Sequence, residues 1–573
     1  MIKRQRGLLT VCLLQLVLLF GILDSLQAQS VNVPLNMDLY HLADRYEVLS
    51  GQIPDQLHTG FKPAYRQTWA DWLSSYPDSL LSSRADRFNL DFLTTELFDY
   101  RRNGLAIARS KSKLWRSLYA AKSAALYIDT VGIQLVINPV LHLVYGQEDH
   151  NLGEKYGQKL STNTRGIEIR GILGKKLGFY SFIGENQLFL PSYIDRFIEQ
   201  NRAVPGEGFY KPYEKTGVDF ITARGYISYH PMPLLNLQFG HDKVFVGNGY
   251  RSLLLSDFSN NQLFFRANAT FWKVNYVVHF SELTASTVRI GPRYPRKYLG
   301  MHHLSLNLGK KFNLSFFESI VFGGTDTLGR TTFEAKYLNP VIFYRFVEQQ
   351  SGSADNAMLG MHAKWNPGKR WSLYGAVILD EFVIREFRAR QGWWGNKQAF
   401  QIGMKYFNVL GLKNLDLQTE LNYIRPYTYT HFDNNNSNPS YTSYNMPLAH
   451  PLGANVQEVA GILRYQPFPR LQIQLRGFIS QSGLDSGASN WGSNVRLDYR
   501  SRQKDYGNTM LQGVKSTLVF AHFQASYMIR HQLFIDLGLG YRRQEFDVFY
   551  PQFSSLLATF GIRLNVAQRL FEF

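Results

Sequence analysis

The sequence predicts an all-β transmembrane barrel of about 18 antiparallel, up-and-down strands, preceded by a small helical domain on the periplasmic side. Three observations predict it. From about Val131 onward apolar residues alternate with polar or small ones, the period of a strand whose two faces meet different surroundings. The connections between these stretches alternate short and long, as a membrane barrel with tight turns on one side and long loops on the other requires. The chain also begins with an export signal.

That signal is the first element, assigned to residues 1–28. Lys3, Arg4 and Arg6 precede a mostly apolar run from Leu8 to Leu23, and Leu26-Gln27-Ala28 places a small residue before a cleavage at Ala28–Gln29. A retained anchor is the alternative, but the run is shorter than the roughly 18–20 residues of a spanning helix. The single cysteine, Cys12, lies inside the signal, and Val11 stands where a lipidation site needs a small residue. The mature chain is therefore expected to hold no disulfide, no cysteine-bound zinc and no thiol nucleophile. No later run of about 18 apolar residues offers a helical span. Mean hydropathy is −0.23, a value that hides barrels because lipid-facing and lumen-facing residues average out. The 15% aromatic share suits girdles at the membrane boundaries.

The formal net charge is +18, of which the signal's three basic residues and Asp24 supply +2, so about +16 remains. Such a balance calls for an acidic partner. An exported chain rarely meets nucleic acid, so the expected partners are lipopolysaccharide phosphates at the outer membrane or an acidic polysaccharide.

Residues 29–120 form the expected helical domain. Asp38 is placed as N-cap of a helix to Ser50, with Gly51 as its stop and Leu39, Leu42, Ala43 and Tyr46 on one face. A second helix is expected over Arg66–Ser75, ended by Pro77. A third is expected over Ser83–Arg102, with Phe88, Phe92, Leu93 and Leu97 near helical spacing. The barrel is assigned to residues 121–573. Its clearest hairpin alternates Val519, Ala521, Phe523, Ala525 and Tyr527 with His522, Gln524 and Ser526. It turns at His531-Gln532 and continues with Leu533, Ile535, Leu537 and Leu539 against Asp536, Gly538 and Gly540. Leu415–Tyr423 and Leu471–Ser480 repeat the pattern. Eight short connections alternate with nine long ones, near 147–163, 185–216, 247–260, 284–298, 324–355, 382–398, 428–456, 482–513 and 546–554. Eighteen strands follow, an even number that returns both ends to the periplasm. Val341-Ile342-Phe343-Tyr344 could be a strand, but the alternation places it in the fifth loop. In the final strand Phe560, Ile562, Leu564 and Val566 share one parity and Phe571 and Phe573 the other, which a bulge near Ala567 would reconcile. Phe573 also resembles a recognition signal for the barrel-assembly machinery. A secreted β-sandwich or propeller shares the alternation; the loop asymmetry and the signal favour the barrel.

Several constellations fail as chemistry. Gly171-Ile172-Leu173-Gly174-Lys175-Lys176 lacks the spacing and the Ser/Thr of a phosphate loop. His302-His303 and Asp380-Glu381 each point two ways along a strand, so neither forms a chelate or an acid–base pair. No spacing marks a nucleophile with its base. No catalytic residue, metal or cofactor is assigned. The loops carry more: Arg251 and Asp257 in the third, Arg293 and Arg296 in the fourth, Arg388, Trp393 and Trp394 in the sixth, Tyr441 in the seventh, Trp491 and Arg500 in the eighth. Aromatic faces suit sugar rings, and guanidinium forks suit carboxylates or phosphates. These ten are the candidate glycan-binding residues; packing of the loops upon one another is the plain alternative. Arg224, Arg266, Arg476 and Arg530 are expected in the lumen, selecting anions in an open pore or pairing with Asp416, Glu420 and Asp536 in a filled one.

Gly240-His241-Asp242-Lys243, followed by Gly247-Asn248-Gly249-Tyr250-Arg251-Ser252-Leu253-Leu254-Leu255-Ser256-Asp257, resembles the Wzi family of outer-membrane capsule-assembly proteins. So do Tyr337-Leu338-Asn339-Pro340-Val341, Asp355-Asn356 and Leu379-Asp380-Glu381-Phe382, in the same order. The resemblance implies an eighteen-stranded barrel with a helical bundle at its periplasmic end, and a surface lectin that attaches capsular polysaccharide; it carries no binding residues across. Some relatives are associated with gliding motility and surface-adhesin systems. The expected function is thus a non-enzymatic holder of acidic capsular polysaccharide. The alternatives are a component of gliding motility or adhesin export with surface-protein partners, a passive channel, and a barrel enzyme.

Overall fold

Apolar side chains stand outside and polar ones inside along most of the wall of this protein. Between Leu533 and Phe546, Leu537 and Leu539 are 53% and 56% exposed while Asp536 and Arg542 are 6% and 9% exposed. A water-soluble core has the opposite arrangement, so this surface matches lipid. The computed structural model describes residues 31–35, 38–101, 104–110, 112–153, 155–325, 331–341, 343–351, 355–433, 438–547 and 552–573. The signal assigned to 1–28 lies outside the described residues, as does Ile342.

Eighteen antiparallel strands close the barrel. They are β1 Ile133–His150, β2 Lys159–Leu173, β3 Leu177–Phe189, β4 Gly217–Met232, β5 Leu235–Asp242, β6 Gln262–Phe271, β7 Val274–Thr284, β8 Arg296–Leu308 and β9 Phe312–Phe322, then β10 Asn356–Trp365, β11 Trp371–Glu381, β12 Lys397–Phe407, β13 Leu415–Ile424, β14 Val456–Phe468, β15 Leu471–Leu484, β16 Val514–Arg530, β17 Leu533–Phe546 and β18 Phe553–Leu564. Closure is made by β18 against β1, from Ser555↔His150 to Leu564↔Leu141. The short connections gather at one end, the turn end, and the nine long ones (loops 1–9) at the other, the loop end.

Three helices precede the wall: α1 Leu39–Ser50, α2 Arg66–Ser74 and α3 Arg84–Glu96. Gly51 ends α1 at φ 72°, in the left-handed conformation that glycine adopts freely. Ser83 caps α3, its hydroxyl accepting from the Asp86 N–H at 2.9 Å. Two expectations are corrected. Asp38 does not cap α1; its carboxylate instead accepts from Gln474 Nε2 on the wall, 3.1 Å. And α3 stops at Glu96 rather than Arg102, where a short 3-10 turn begins at Phe98. Two short helices, α4 Gly104–Ala108 and α5 Lys113–Leu118, lead to the wall.

The helical segment sits in the barrel mouth at the turn end. Arg45 of α1 is the hub: its guanidinium donates to Asp86 (2.9 Å), Asp416 (2.5 Å), Asn408 (2.8 Å) and Asn414 (2.9 Å). Lys364 meets Glu47 at 2.6 Å and Lys405 meets Asp44 at 2.5 Å. Asp99 bridges Arg66 (3.1 Å) and Arg170 of β2 (2.8 Å). Further in, Phe61-Lys62 pairs as a strand with Phe245-Val246 of loop 3.

From the loop end, loops 3 and 7 fold into the lumen. Leu253, Leu254 and Leu255 pack with Leu299, Met301, Phe317, Met358, Tyr429 and Leu448 in an apolar core inside the barrel. Tyr429 Oη donates to the Leu253 carbonyl at 2.7 Å. The space between comes from the chain after β18. The strand ends at Leu564, Asn565 turns the backbone at φ 53°, and residues 566–573 run back through the lumen. No bulge continues the strand at Ala567, and Phe573 is not on a strand: it packs on Tyr193, Phe197 and Phe258 from loops 2 and 3. The parity flip marks the point where the chain leaves the wall. Between these segments lies a cavity of about 440 Å³.

The lumenal arginines pair differently from the expectation. Arg266 lies over Phe61 and Phe264 and donates to Gln238. Arg224 lies over Phe182. Arg476 pairs with Glu572 of the tail at 3.0 Å, and Arg530 stacks on Tyr119. The acids are taken by inserted segments or neighbouring strands instead: Asp416 by Arg45, Glu420 by the N–H groups of Tyr250 and Arg251, Asp536 by Arg563. Pairing across the filled lumen reaches between parts of the chain that alternation cannot relate.

Candidate functional site

Loops 6, 7 and 8 meet at the loop end and bring together four of the ten candidate residues. The meeting point is built from the strand ends upward. Asp380 and Glu381 close β11 and Lys397 opens β12. Lys397 Nζ is fully buried, 3.3 Å from Asp380, 3.2 Å from Glu381 and 2.8 Å from the Thr430 carbonyl, and it lies 5.0 Å over the Tyr499 ring. Asp380 also accepts from the Tyr429 N–H at 2.7 Å. One buried ion pair therefore ties the root of loop 6 to loops 7 and 8, which answers the question of Asp380-Glu381: both are anchors.

In chain order α6 is Ser192–Asn201 in loop 2, α7 Tyr344–Ser351 in loop 5 and α8 Ile384–Ala389 in loop 6. After α8 the backbone passes Gly392 at φ 65°, where a Cβ would lie 2.7 Å from the Asn508 carbonyl oxygen, so only glycine lets loops 6 and 8 touch. Three backbone bonds join them: Trp394 N to Asp505 O (2.9 Å), Gly507 N to Gln391 O (2.7 Å) and Asn508 N to Gly392 O (2.9 Å). The Trp394 ring lies 4.6 Å from Tyr499 and 6.4 Å from Tyr427, and Arg502 covers it at 4.3 Å. Trp393 is 5.8 Å from Trp394. In loop 8 Asp485 accepts from the N–H groups of Trp491 (2.5 Å) and Asn494 (2.7 Å), and Lys504 lies 5.9 Å over the Trp491 ring. Arg500 pairs with Asp498 at 2.5 Å, lies 5.2 Å over Phe432 and donates to the Asp433 carbonyl at 2.7 Å. Burial and then the Lys397 charge push His431 down to about 4, so it is neutral at physiological pH. Trp393, Trp394 and Trp491 are half-buried and Arg388 and Arg500 exposed. The surface offers aromatic rings with cations above them.

The other candidates lie elsewhere. Arg251 is buried in the lumen, bound to Glu458 (3.0 Å) and to the Glu572 carbonyl (2.8 Å). It is not free, and the glycine-rich bend of loop 3 is an internal strut. Asp257 borders the cavity and its carbonyl accepts from Lys243. Tyr441 is buried, stacked 6.0 Å from Tyr429. Arg293 is exposed in loop 4 and Arg296 is exposed and paired with Glu282, beside a separate aromatic group in which Phe209 lies 4.2 Å from Tyr294 and 4.8 Å from Tyr444. Arg388 is on α8. Lys397, His431, Phe432 and Asp498 were not singled out from the sequence. The signal for Lys397 was its place directly after the Trp-Trp loop; Phe432 and His431 carried none. Among the described residues no group of three or more His, Cys, Asp or Glu is placed to hold a metal, and His303 meets His362 at 2.9 Å as a hydrogen-bonded pair.

No family model matches the chain, and no curated protein matches it. Among solved structures it is similar to Wzi of Escherichia coli, described as an outer-membrane protein involved in group 1 capsule assembly and a carbohydrate-binding β-barrel. The identity is 12%, the TM-score 0.56, and 94% of this chain and 100% of that one are covered. The likeness shows the fold: a Wzi-like, outer-membrane-type barrel. OccD1 (OprD) and Pseudomonas aeruginosa OccK7 (OpdD) match over 75% of this chain, and 95% and 98% of theirs, at 9% identity and TM-score 0.41 each.

Proposed function

We propose that this protein is a non-enzymatic outer-membrane barrel that holds acidic polysaccharide at the cell surface, with its loops extracellular and its N-terminal helices and turn end periplasmic. The observation that carries the reading is the convergence of Trp393, Trp394, Trp491, Tyr499, Arg500 and Arg502 on one rim above a filled lumen. The solved barrel with which it shares a fold is described as carbohydrate-binding, in agreement with this. A net charge of +18 favours an acidic chain over a neutral one, and lipopolysaccharide phosphates would meet the exposed arginines nearest the bilayer. The filling of the lumen by loops 3 and 7, the helices and the tail favours a holder over a passive channel. Residues 1–28 are read as the leader, 29–120 as the periplasmic helical domain and 121–573 as the barrel, inserted by the barrel-assembly machinery. The test is retention of detergent-purified protein on immobilised acidic and neutral polysaccharides, with single-channel conductance in parallel. Retention on the acidic polymer with a silent bilayer is expected. No retention by a folded barrel would move the reading to a motility or surface-adhesin role with protein partners, and a steady open current to a channel.

A further inference from the structure

We infer that loop 5 is a membrane-embedded saddle that lies against the outside of the barrel wall, with lipid as its partner. The inference rests on the reading that the barrel stands in a bilayer. It starts from a polar pair in the wrong place. On β8, His303 faces the lumen, 5.7 Å from Phe61, so His302 faces outward. Its Nδ1 lies 2.7 Å from Glu318 Oε1, its partner across the β8–β9 ladder. Glu318 shares the outward parity of the exposed Phe316. A His–Glu pair turned to hydrocarbon would be expensive.

Loop 5 covers it. Residues 333–341 and 343–351 come down over the outer face of β7–β10. The Tyr344 ring stacks on His302 at 4.3 Å, and its N–H donates to Glu318 Oε2 at 3.1 Å. Gly300 makes the seat: a Cβ there would lie 3.0 Å from Tyr344 Oη. Tyr276, also outward, donates to the Pro340 carbonyl at 2.5 Å. Tyr337 and Tyr344 form a buried cluster with Ile320, Phe322 and Ala357, wall residues that would otherwise face lipid. Glu318 is four residues from the loop end of β9. At ~3.3 Å per residue and ~40° tilt this is roughly 10 Å below the strand top.

The outer surface of the saddle is apolar. Val341 is 81% exposed, Phe343 69% and Phe346 57%. On the wall next to them Phe316, Leu359 and Met361 are exposed too, so the patch continues the lipid-facing belt. Arg345, exposed beside Phe346 and paired with Glu348 at 2.8 Å, suits headgroup phosphates at the boundary. Phenylalanines in the acyl region and an arginine at the phosphates are the pattern of a segment lying in the interface.

The test places a bimane label at Phe346→Cys in full-length protein carrying Cys12→Ala, reconstituted in phosphatidylcholine vesicles with or without acyl-chain spin-labelled lipid. Leu359→Cys reports the belt and Arg388→Cys the exposed loop end; Phe343→Cys serves as a second probe of the saddle, and heat-modified mobility checks folding. Quenching of the Phe346 probe by spin-labelled lipid within about twofold of the Leu359 probe, and several-fold weaker quenching by iodide than at Arg388, is expected. Iodide quenching at Phe346 equal to that at Arg388, with Leu359 still quenched by lipid, overturns the inference and leaves the membrane reading intact. Shielding from both quenchers with cross-linking between copies overturns it in favour of a second copy of this chain. Absence of lipid quenching at Leu359 overturns the membrane reading, and the inference with it.

Discussion

Replacing Arg45 with alanine should release the helical segment from the barrel mouth while the wall stays closed. Arg45 joins α1 to α3 through Asp86 and to the β12–β13 turn through Asp416, Asn408 and Asn414, with all partners at 2.5–2.9 Å. Its side chain is 2% exposed, that of Asp86 0% and that of Asp416 7%. Removing one partner of a buried pair costs about 3–5 kcal/mol, because the remaining charge is left uncompensated. Asp416 keeps His41 at 3.1 Å and Asp86 keeps Ser82 at 2.9 Å, which argues for the lower end, about 3 kcal/mol. At 1.36 kcal/mol per tenfold the opening equilibrium of the segment shifts roughly 100-fold. Hydrogen exchange of α1 and α3 in detergent reads this directly: protection there should fall about 100-fold while amides in β16–β18 keep theirs. Adding Asp416→Asn to Arg45→Ala should recover part of the loss by removing a stranded carboxylate. Exchange in α1 and α3 within about threefold of the wild type would refute the reasoning, since the segment would then be held without Arg45.

Acid should undock the same segment. Glu96 is held at about 2, where burial alone would raise it and the hydrogen bond from His531 and the Arg66 charge outweigh that; Asp44 is likewise at about 2, against burial, through Lys405 and Lys364. Carboxylates depressed below their unfolded values near 4 stabilise fully above those values and lose this as pH falls toward 2, so pepsin cleavage within 39–96 should rise steeply between pH 4 and 2; a flat profile would count against the ion pairs. Trp394→Ala should weaken retention on acidic polysaccharide about 2- to 10-fold, the worth of an aromatic contact of 0.5–1.5 kcal/mol, with Trp394→Phe near wild type in the same column assay. Gly249→Val should push loop 3 out of the lumen, because a Cβ there lies 2.5 Å from Glu420 Oε2 and 2.7 Å from the Arg251 carbonyl. Planar bilayer recordings should then show current where the parent shows none.

The wall was legible because each strand reports its own two surroundings. Leu533–Leu539 against Asp536–Gly540 needs no other part of the chain to be understood, and the rhythm of turns and loops counts eighteen. Gly51 and Pro77 gave the ends of α1 and α2 for the same local reason. The contents of the lumen were not legible. Leu253-Leu254-Leu255 has no period, so nothing in it distinguishes a surface loop from the core it forms. Arg45 and Asp416 are 371 positions apart, and no local pattern pairs them. Phe571 and Phe573 change parity for a reason that looks, one residue at a time, like a bulge. At the rim, residue type selected Trp393, Trp394, Trp491 and Arg500, which the fold brings together, but the same rule selected Arg251 and Tyr441, which lie inside. Aromatic and basic residues serve packing and recognition alike, and only burial separates the two uses.

The return of residues 566–573 through the middle of the cylinder constrains the order in which the molecule can be made. Arg476 holds the carboxylate of Glu572 and Arg251 its main-chain oxygen, and Arg542 reaches the main-chain oxygen of Phe573. Once β18 has zipped to β1, an eight-residue thread carrying two phenylalanines has no side door by which to enter. The seam must therefore seal last, around cargo already stowed, and the final stretch of polypeptide acts as a drawstring whose arrival precedes the closing of the bag.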